Sequence, residues 1–138
     1  MPAQPANRRR CDENKALVLD LLREANGPLG AYDISSRASA RGIRIVPNQV
    51  YRTLNRLIDE RSVVRIEALN AYLPRQSAGN LCLICKDCHM VEFVTLPSLS
   101  DTIARAAPDC HFETVEGLIE AQGQCIECHR ARAVHTSQ

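Results

Sequence analysis

The stretch Pro47-Asn48-Gln49-Val50-Tyr51-Arg52-Thr53-Leu54-Asn55-Arg56-Leu57-Ile58 decides how this chain is read. Its apolar positions Val50, Leu54, Leu57 and Ile58 recur at i, i+4, i+7 and i+8, the stripe of an amphipathic helix. Pro47 suits the first helical turn, where a missing N–H costs nothing. The helix is predicted to reach about Glu60. Its other face carries Gln49, Arg52, Asn55, Arg56 and Asp59, with Tyr51 at the boundary. A helix fits the major groove of DNA, and an arginine there can read guanine through a bidentate bond. Amphipathic helices with two exposed arginines are common, so the flanking elements decide.

Upstream, Asp12 is expected to cap a helix running to about Ala25, with Leu17, Val18, Leu21, Leu22 and Ala25 at helical spacing. Asn26-Gly27-Pro28 ends it, and a second helix is predicted over Ala31–Ala40 with Ile34 and Ala38 inward. Downstream of Arg61-Ser62 the period changes to two. Val64, Ile66 and Ala68 alternate with Arg65 and Glu67, Asn70 can turn a hairpin, and Ala71-Tyr72-Leu73 reads as the return strand before Pro74. Three helices and a two-stranded wing make residues 11–75 a winged helix-turn-helix DNA-binding domain. Residues 1–10, with Arg8-Arg9-Arg10, read as a disordered basic tail.

Residues 76–80 are polar and read as a hinge. The module beyond it, 81–131, is predicted to hold strands over Leu81–Cys85 and Met90–Thr95 and a helix from Pro97 to about Ala107. A strand over Phe112–Ala121 follows, with Val115 and Ile119 as its apolar points. Residues 126–133 read as a short helix running into a tail over 132–138. The whole is α+β, with a second domain of the small α/β kind. About fifty residues rarely bury enough apolar surface alone, so this module needs a metal, a partner chain or both.

The chemistry lies in Cys85-x-x-Cys88 and Cys125-x-x-Cys128. Two residues between cysteines let both thiolates of a turn face one point, and two such turns supply the tetrahedral four-sulfur set of a structural zinc, one per chain. The 36 residues between the pairs mean the metal would staple distant segments. Four thiolates leave no open coordination position, which argues against hydrolytic catalysis. A redox dithiol is the alternative use of a Cys-x-x-Cys.

Composition sets the outer bounds. The chain has 138 residues, 45% hydrophobic and 24% charged, which excludes wholesale disorder. No apolar run nears the ~20 residues of a membrane span. The first ten residues lack an apolar secretion segment, so a cytoplasmic protein without membrane partners is expected. Seven cysteines in a reducing compartment point to metal or thiol chemistry rather than disulfides. Residues 1–75 hold thirteen Lys and Arg against eight Asp and Glu, whereas 76–138 hold four against eight. Only the first half suits a polyanion. No triad or phosphate loop marks an enzyme.

The run Val50-Tyr51-Arg52-Thr53-Leu54-Asn55-Arg56-Leu57 resembles the recognition helix of the ferric uptake regulator family of bacterial repressors. The paired Cys-x-x-Cys motifs resemble that family's structural zinc site, and the order of elements agrees over about residues 11–131. Ala31-Tyr32-Asp33 and Ile119-Glu120-Ala121-Gln122-Gly123-Gln124-Cys125 lean towards its zinc uptake branch. The resemblance implies a homodimeric, metal-dependent repressor of zinc-homeostasis genes on a palindromic, AT-rich operator in double-stranded DNA. It carries DNA contact to Tyr51 and Arg52, and more loosely to Lys15. Gln49 and Arg56 join them as candidates from the helix face. The chain departs from the family at the sensing site. Cys82 stands where a histidine is expected, and Val64, Arg75 and Phe93 occupy other ligand positions. Cys82, Cys110, His111 and His89 are the candidates for a rebuilt site. The alternative function is a thiol-responsive DNA-binding regulator without a sensing metal.

Overall fold

The computed structural model describes residues 6–113 and 117–136, which divide into two compact units, one ending at Gln76 and the other beginning at Ser77. The first unit opens with helix α1, Ala6–Glu24, followed by α2, Ala31–Ala40, and α3, Pro47–Asp59. Val18, Leu21 and Leu22 of α1 meet Ala31, Ile34 and Ala38 of α2 and Val50, Leu54 and Leu57 of α3 in one buried cluster. The turn into α3 is fixed from two sides. Gly42 takes φ 77°, a left-handed conformation that suits a residue without Cβ. The Ser35 hydroxyl donates to the Ile45 carbonyl at 2.6 Å.

The wing follows as β1, Val63–Ile66, and β2, Ala71–Pro74, paired antiparallel from Val63 opposite Pro74 to Ile66 opposite Ala71. Asn70 turns the hairpin with φ 48°, a conformation asparagine tolerates well. Leu29 and Tyr72 exchange backbone hydrogen bonds of 2.9 and 2.8 Å, so the loop after α1 pairs with the outer side of β2. Hence Tyr72 is buried, although it lies in a short exposed-looking strand.

Three expectations in this unit are corrected. The first helix starts at Ala6, so residues 6–10 of the expected tail are helical and Asp12 lies inside the helix rather than capping it. Alanine and arginine are strong helix formers, and no proline follows Pro5 to stop them. Residues 1–5 lie outside the described residues. The β1 strand is shorter than its alternation suggested, because Glu67–Leu69 winds into a 3-10 turn that feeds Asn70. The inward pair is therefore Val63 and Ile66, with Ala68 exposed.

The second unit is a three-stranded sheet ordered β4-β3-β5, with β3 at Leu81–Cys85, β4 at Val91–Val94 and β5 at Ile119–Gly123. The β3 strand pairs antiparallel with β4 and parallel with β5, where Leu81 lies opposite Ile119 and Cys85 opposite Gly123. Helix α4, Pro97–Ala106, runs into a 3-10 turn over Ala107–Cys110, and helix α5 spans Ile126–Thr136.

Asn80 organises the opening of this unit. Its backbone N–H donates to Val94 O at 3.1 Å and its carbonyl accepts from Ile119 N–H at 3.0 Å. Its side chain accepts from Leu96 N–H at 2.7 Å and donates to Leu96 O at 2.5 Å and Ser100 Oγ at 3.2 Å. One residue thus ties all three strands to the start of α4.

Here too the sequence reading is corrected. Of the expected hinge 76–80, Ala78 is buried, and Gly79 and Asn80 are half-buried just ahead of β3, with Asn80 hydrogen-bonded to β4 and β5. The strand expected over Phe112–Ala121 begins only at Ile119: Phe112 and Glu113 belong to no strand, Gly117 has φ 124°, and Val115 lies outside the described residues. A glycine in that conformation cannot continue a strand. The expected tail 132–138 is helical as far as Thr136, since alanine and arginine carry α5 onward; residues 137 and 138 lie outside the described residues.

A methyl group on Gly79 would sit 2.3 Å from the Val94 carbonyl oxygen, inside any allowed contact. Gly79→Ala is therefore expected to cost about 1–3 kcal/mol through forced backbone movement. Urea denaturation of the full chain measures it, and the same change at Gly27, which faces open space, serves as the control.

Candidate metal centre and nucleic-acid face

The parallel pairing of β3 with β5 brings the two Cys-x-x-Cys turns to one end of the sheet. Cys85 closes β3, and Cys125 follows directly after β5 and its next residue, Gln124. The Sγ atoms of Cys85, Cys88, Cys125 and Cys128 all lie within 4.8 Å of one another, with Cys88 and Cys125 3.7 Å apart. A tetrahedron with zinc–sulfur bonds of about 2.3 Å has sulfur–sulfur edges of about 3.8 Å. The donor set therefore fits a structural zinc in both chemistry and scale. Among the described residues, no other group of three or more His, Cys, Asp or Glu donors converges in this way.

The backbone is shaped for the site. The turn after Cys85 closes with His89 N–H donating to Cys85 O at 3.0 Å, and His89 adopts φ 63° to let the chain return to β4. Cys125 N–H points at Cys85 Sγ at 3.4 Å, and Cys128 N–H at Cys125 Sγ at 3.4 Å. The backbone N–H groups of Cys125 and Cys88 favour the Cys85 thiolate and draw its pKa down to about 6. Proton sharing with Cys125 and then Cys88 pushes Cys128 up. Four sulfurs in one place thus compete for protons, and a divalent cation requires all four without them. Gln124 Nε2 donates to Asp87 Oδ2 at 2.6 Å, a second clasp between the two turns.

The four candidates for a rebuilt sensing site are not gathered. Cys82 is fully buried on β3, and desolvation followed by the nearby Glu120 lifts its thiol to about 11. A thiol held protonated in this way is a poor nucleophile. That weighs against Cys82 as a redox trigger. His89 and His111 are exposed turn residues with left-handed backbones, and Cys110 is exposed at the end of the 3-10 turn after α4.

In the first unit, the exposed face of α3 borders a cavity of about 320 Å³. Gln49, Arg52 and Arg56 line it from α3, and Arg10, Cys11 and Asn14 from α1. Gln49 Oε1 accepts from Val46 N–H at 3.2 Å, which caps α3 and leaves the side-chain amide nitrogen for other partners. Arg56 donates to Cys11 Sγ. Tyr51 is half-buried and packs against the core. Lys15 lies elsewhere: its ammonium pairs with Glu60, just past the end of α3, and this contact raises its pKa. Sequence reasoning did not single out Asn14, and it named Arg10 only as part of the Arg8-Arg9-Arg10 run of the expected tail. The signal was available in their one-turn spacing, hidden by the assumption that residue 10 precedes the helix.

No protein-family model matches the chain. It is 26% identical to the zinc uptake regulation protein of Escherichia coli strain K12 over 121 residues, 84% of this chain and 71% of that protein. The protein of the same name from Shigella flexneri matches to the same extent. Among solved structures, a zinc uptake regulator complexed with zinc and DNA superposes with TM-score 0.70 at 21% identity, covering 94% of this chain and 99% of that one. The holo form of XcZur gives 0.67 at 25% identity, covering 91% and 95%.

Elemental analysis of the reduced protein is expected to find one zinc per chain. Cys85→Ser is expected to lose it and to unfold the second unit, because metal binding there is part of the folding free energy. Circular dichroism and limited proteolysis separate the two units: the helices of the first should survive.

Proposed function

We infer that this chain, a ferric uptake regulator family member close to the zinc uptake regulators, is a DNA-binding transcriptional regulator and not an enzyme. It acts in the cytoplasm as a homodimer that represses metal-homeostasis genes, zinc genes first among them. The first unit docks α3 in the major groove of a palindromic, AT-rich operator. Arg52 and Arg56 meet base edges, Tyr51 and Gln49 support them, and the wing grips phosphates. The second unit holds a structural zinc on Cys85, Cys88, Cys125 and Cys128 and joins two chains, so that two recognition helices meet two half-sites.

The observation that carries this reading is the exposed Gln49, Arg52 and Arg56 face of α3, held on a winged helix whose own core is complete. The dimer finds support in the poverty of the second unit's interior. Among its described residues only Ala78, Cys82, Ile84, Cys85 and Ala107 are buried, while Leu83, Met90, Phe112, Ile126 and others stay exposed. Such a surface suits burial against a second copy. Among the described residues, no helix is long and apolar enough to cross a membrane.

Duplexes selected from a random pool by the zinc-loaded protein supply the test. A selected palindrome, bound at two chains per duplex and progressively more weakly as salt rises, is the expected result. Arg52→Ala is expected to weaken the selected duplex by about 1–3 kcal/mol, read by fluorescence anisotropy. Failure to enrich any sequence or to bind DNA at all would overturn the reading.

A further inference from the structure

We propose that the cavity between α1 and α3 is a phosphate-binding cleft, in which Arg10 and Asn14 of α1 hold a DNA backbone phosphate beside the base-reading arginines. The proposal rests on the DNA-binding reading and adds to it a contact that reads no base. Three guanidinium groups, from Arg10, Arg52 and Arg56, border one space of about 320 Å³, and among the described residues no acidic side chain lines it. An anion placed in this space would be attracted by all three cations at once. The polar company fits the same ligand. Asn14 and the side-chain amide nitrogen of Gln49 are neutral N–H donors, suited to phosphate oxygens once the charge is met.

The two helices contribute differently. Arg52 stands on the outer face of α3, where base edges are within reach of a groove-bound helix. Arg56 lies against the Cys11 sulfur, and among the described residues no carboxylate lines the space beside it. Arg10 and Asn14 sit one turn apart on α1, a helix expected to cross the backbone rather than enter the groove. Lys15, the cation on α1 that sequence reasoning favoured, is engaged by Glu60 and does not line the cleft. The phosphate contact of α1 is thereby assigned to Arg10.

The test compares the selected duplex with a random duplex of equal length, across a salt titration, for the zinc-loaded wild type, Arg10→Ala, Arg10→Lys and Arg52→Ala. Arg10→Ala is expected to weaken both duplexes by the same factor. One contact per chain and two chains per duplex should flatten the salt slope by about 2. Arg10→Lys should keep most of that slope, since the charge remains. Arg52→Ala should instead shrink the ratio between selected and random duplex. The proposal is overturned if Arg10→Ala binds like wild type, or if it loses only the selected duplex. A wild type that binds no duplex removes the DNA reading and the cleft's ligand together. Wild-type binding with an unaffected Arg10→Ala removes the cleft alone. Circular dichroism confirms that each variant keeps its helices. Bound DNA should also shield Cys11 from iodoacetamide, read by peptide mass spectrometry, and full reactivity in the complex would count against the proposal.

Discussion

Four sulfur atoms drawn to one point are the constraint on which the second unit depends. Its sheet contains a parallel pairing, β3 with β5, between segments some forty residues apart in sequence. Parallel pairs ordinarily lie in large interiors covered on both faces. This unit has no such interior: its described buried residues are few and mostly small. The pairing instead ends where the cysteines begin, with Cys85 opposite Gly123 and the Asp87–Gln124 bond beside them. A metal shared by the four cysteines would hold the two turns together and so supply the closure that a larger core would otherwise give. Asn80 performs the corresponding task at the other end, through hydrogen bonds to β4, β5 and the start of α4.

The first unit is built on the opposite principle. Val18, Ile34, Val50 and Leu54 are wholly buried, and the three helices converge on a single apolar cluster without any metal. Its polar work is displaced outward. Gln49 caps α3 while facing the cleft, and Arg56 rests on Cys11. The ion pairs Lys15–Glu60 and Arg41–Glu24 lie at the surface, where such pairs contribute little to stability. They engage Lys15 and Arg41, neither of which lines the cleft beside α3. The positive charge there comes from arginines without carboxylate neighbours in the cleft.

Much of this was legible in the amino-acid sequence. The stripe Val50, Leu54, Leu57 and the proline before it announce α3, because burial of one helix face leaves a periodic trace. The cysteine spacing announces a four-sulfur centre, because the chelating turn needs two intervening residues. Other features leave no periodic trace. The three-way role of Asn80 depends on chain segments brought together only by folding, so in sequence it reads as a polar linker residue. The start of β5 is set by its register against β3 and by the backbone of Gly117, neither of which a local pattern encodes. The early start of α1 was hidden because a run of arginines resembles a solvated tail as closely as a helix. That misreading concealed the cleft, since Arg10 and Asn14 share a face only once the helix includes them both.

The parallel pairing also sets an order of events during synthesis. Residues 6–76 contain everything their own core requires. That unit can form as soon as it clears the ribosome. The second cannot finish its sheet until Ile119–Gly123 has been made, nor its metal centre until Cys128 has been added. In between, Cys85 and Cys88 stand as half of a chelate, with the apolar side of β3 uncovered beside them. The maturing chain thus passes through an interval in which its helical first unit is complete and its four-cysteine centre is an open thiol pair. In that interval metal binding and thiol oxidation would compete for the same two sulfurs.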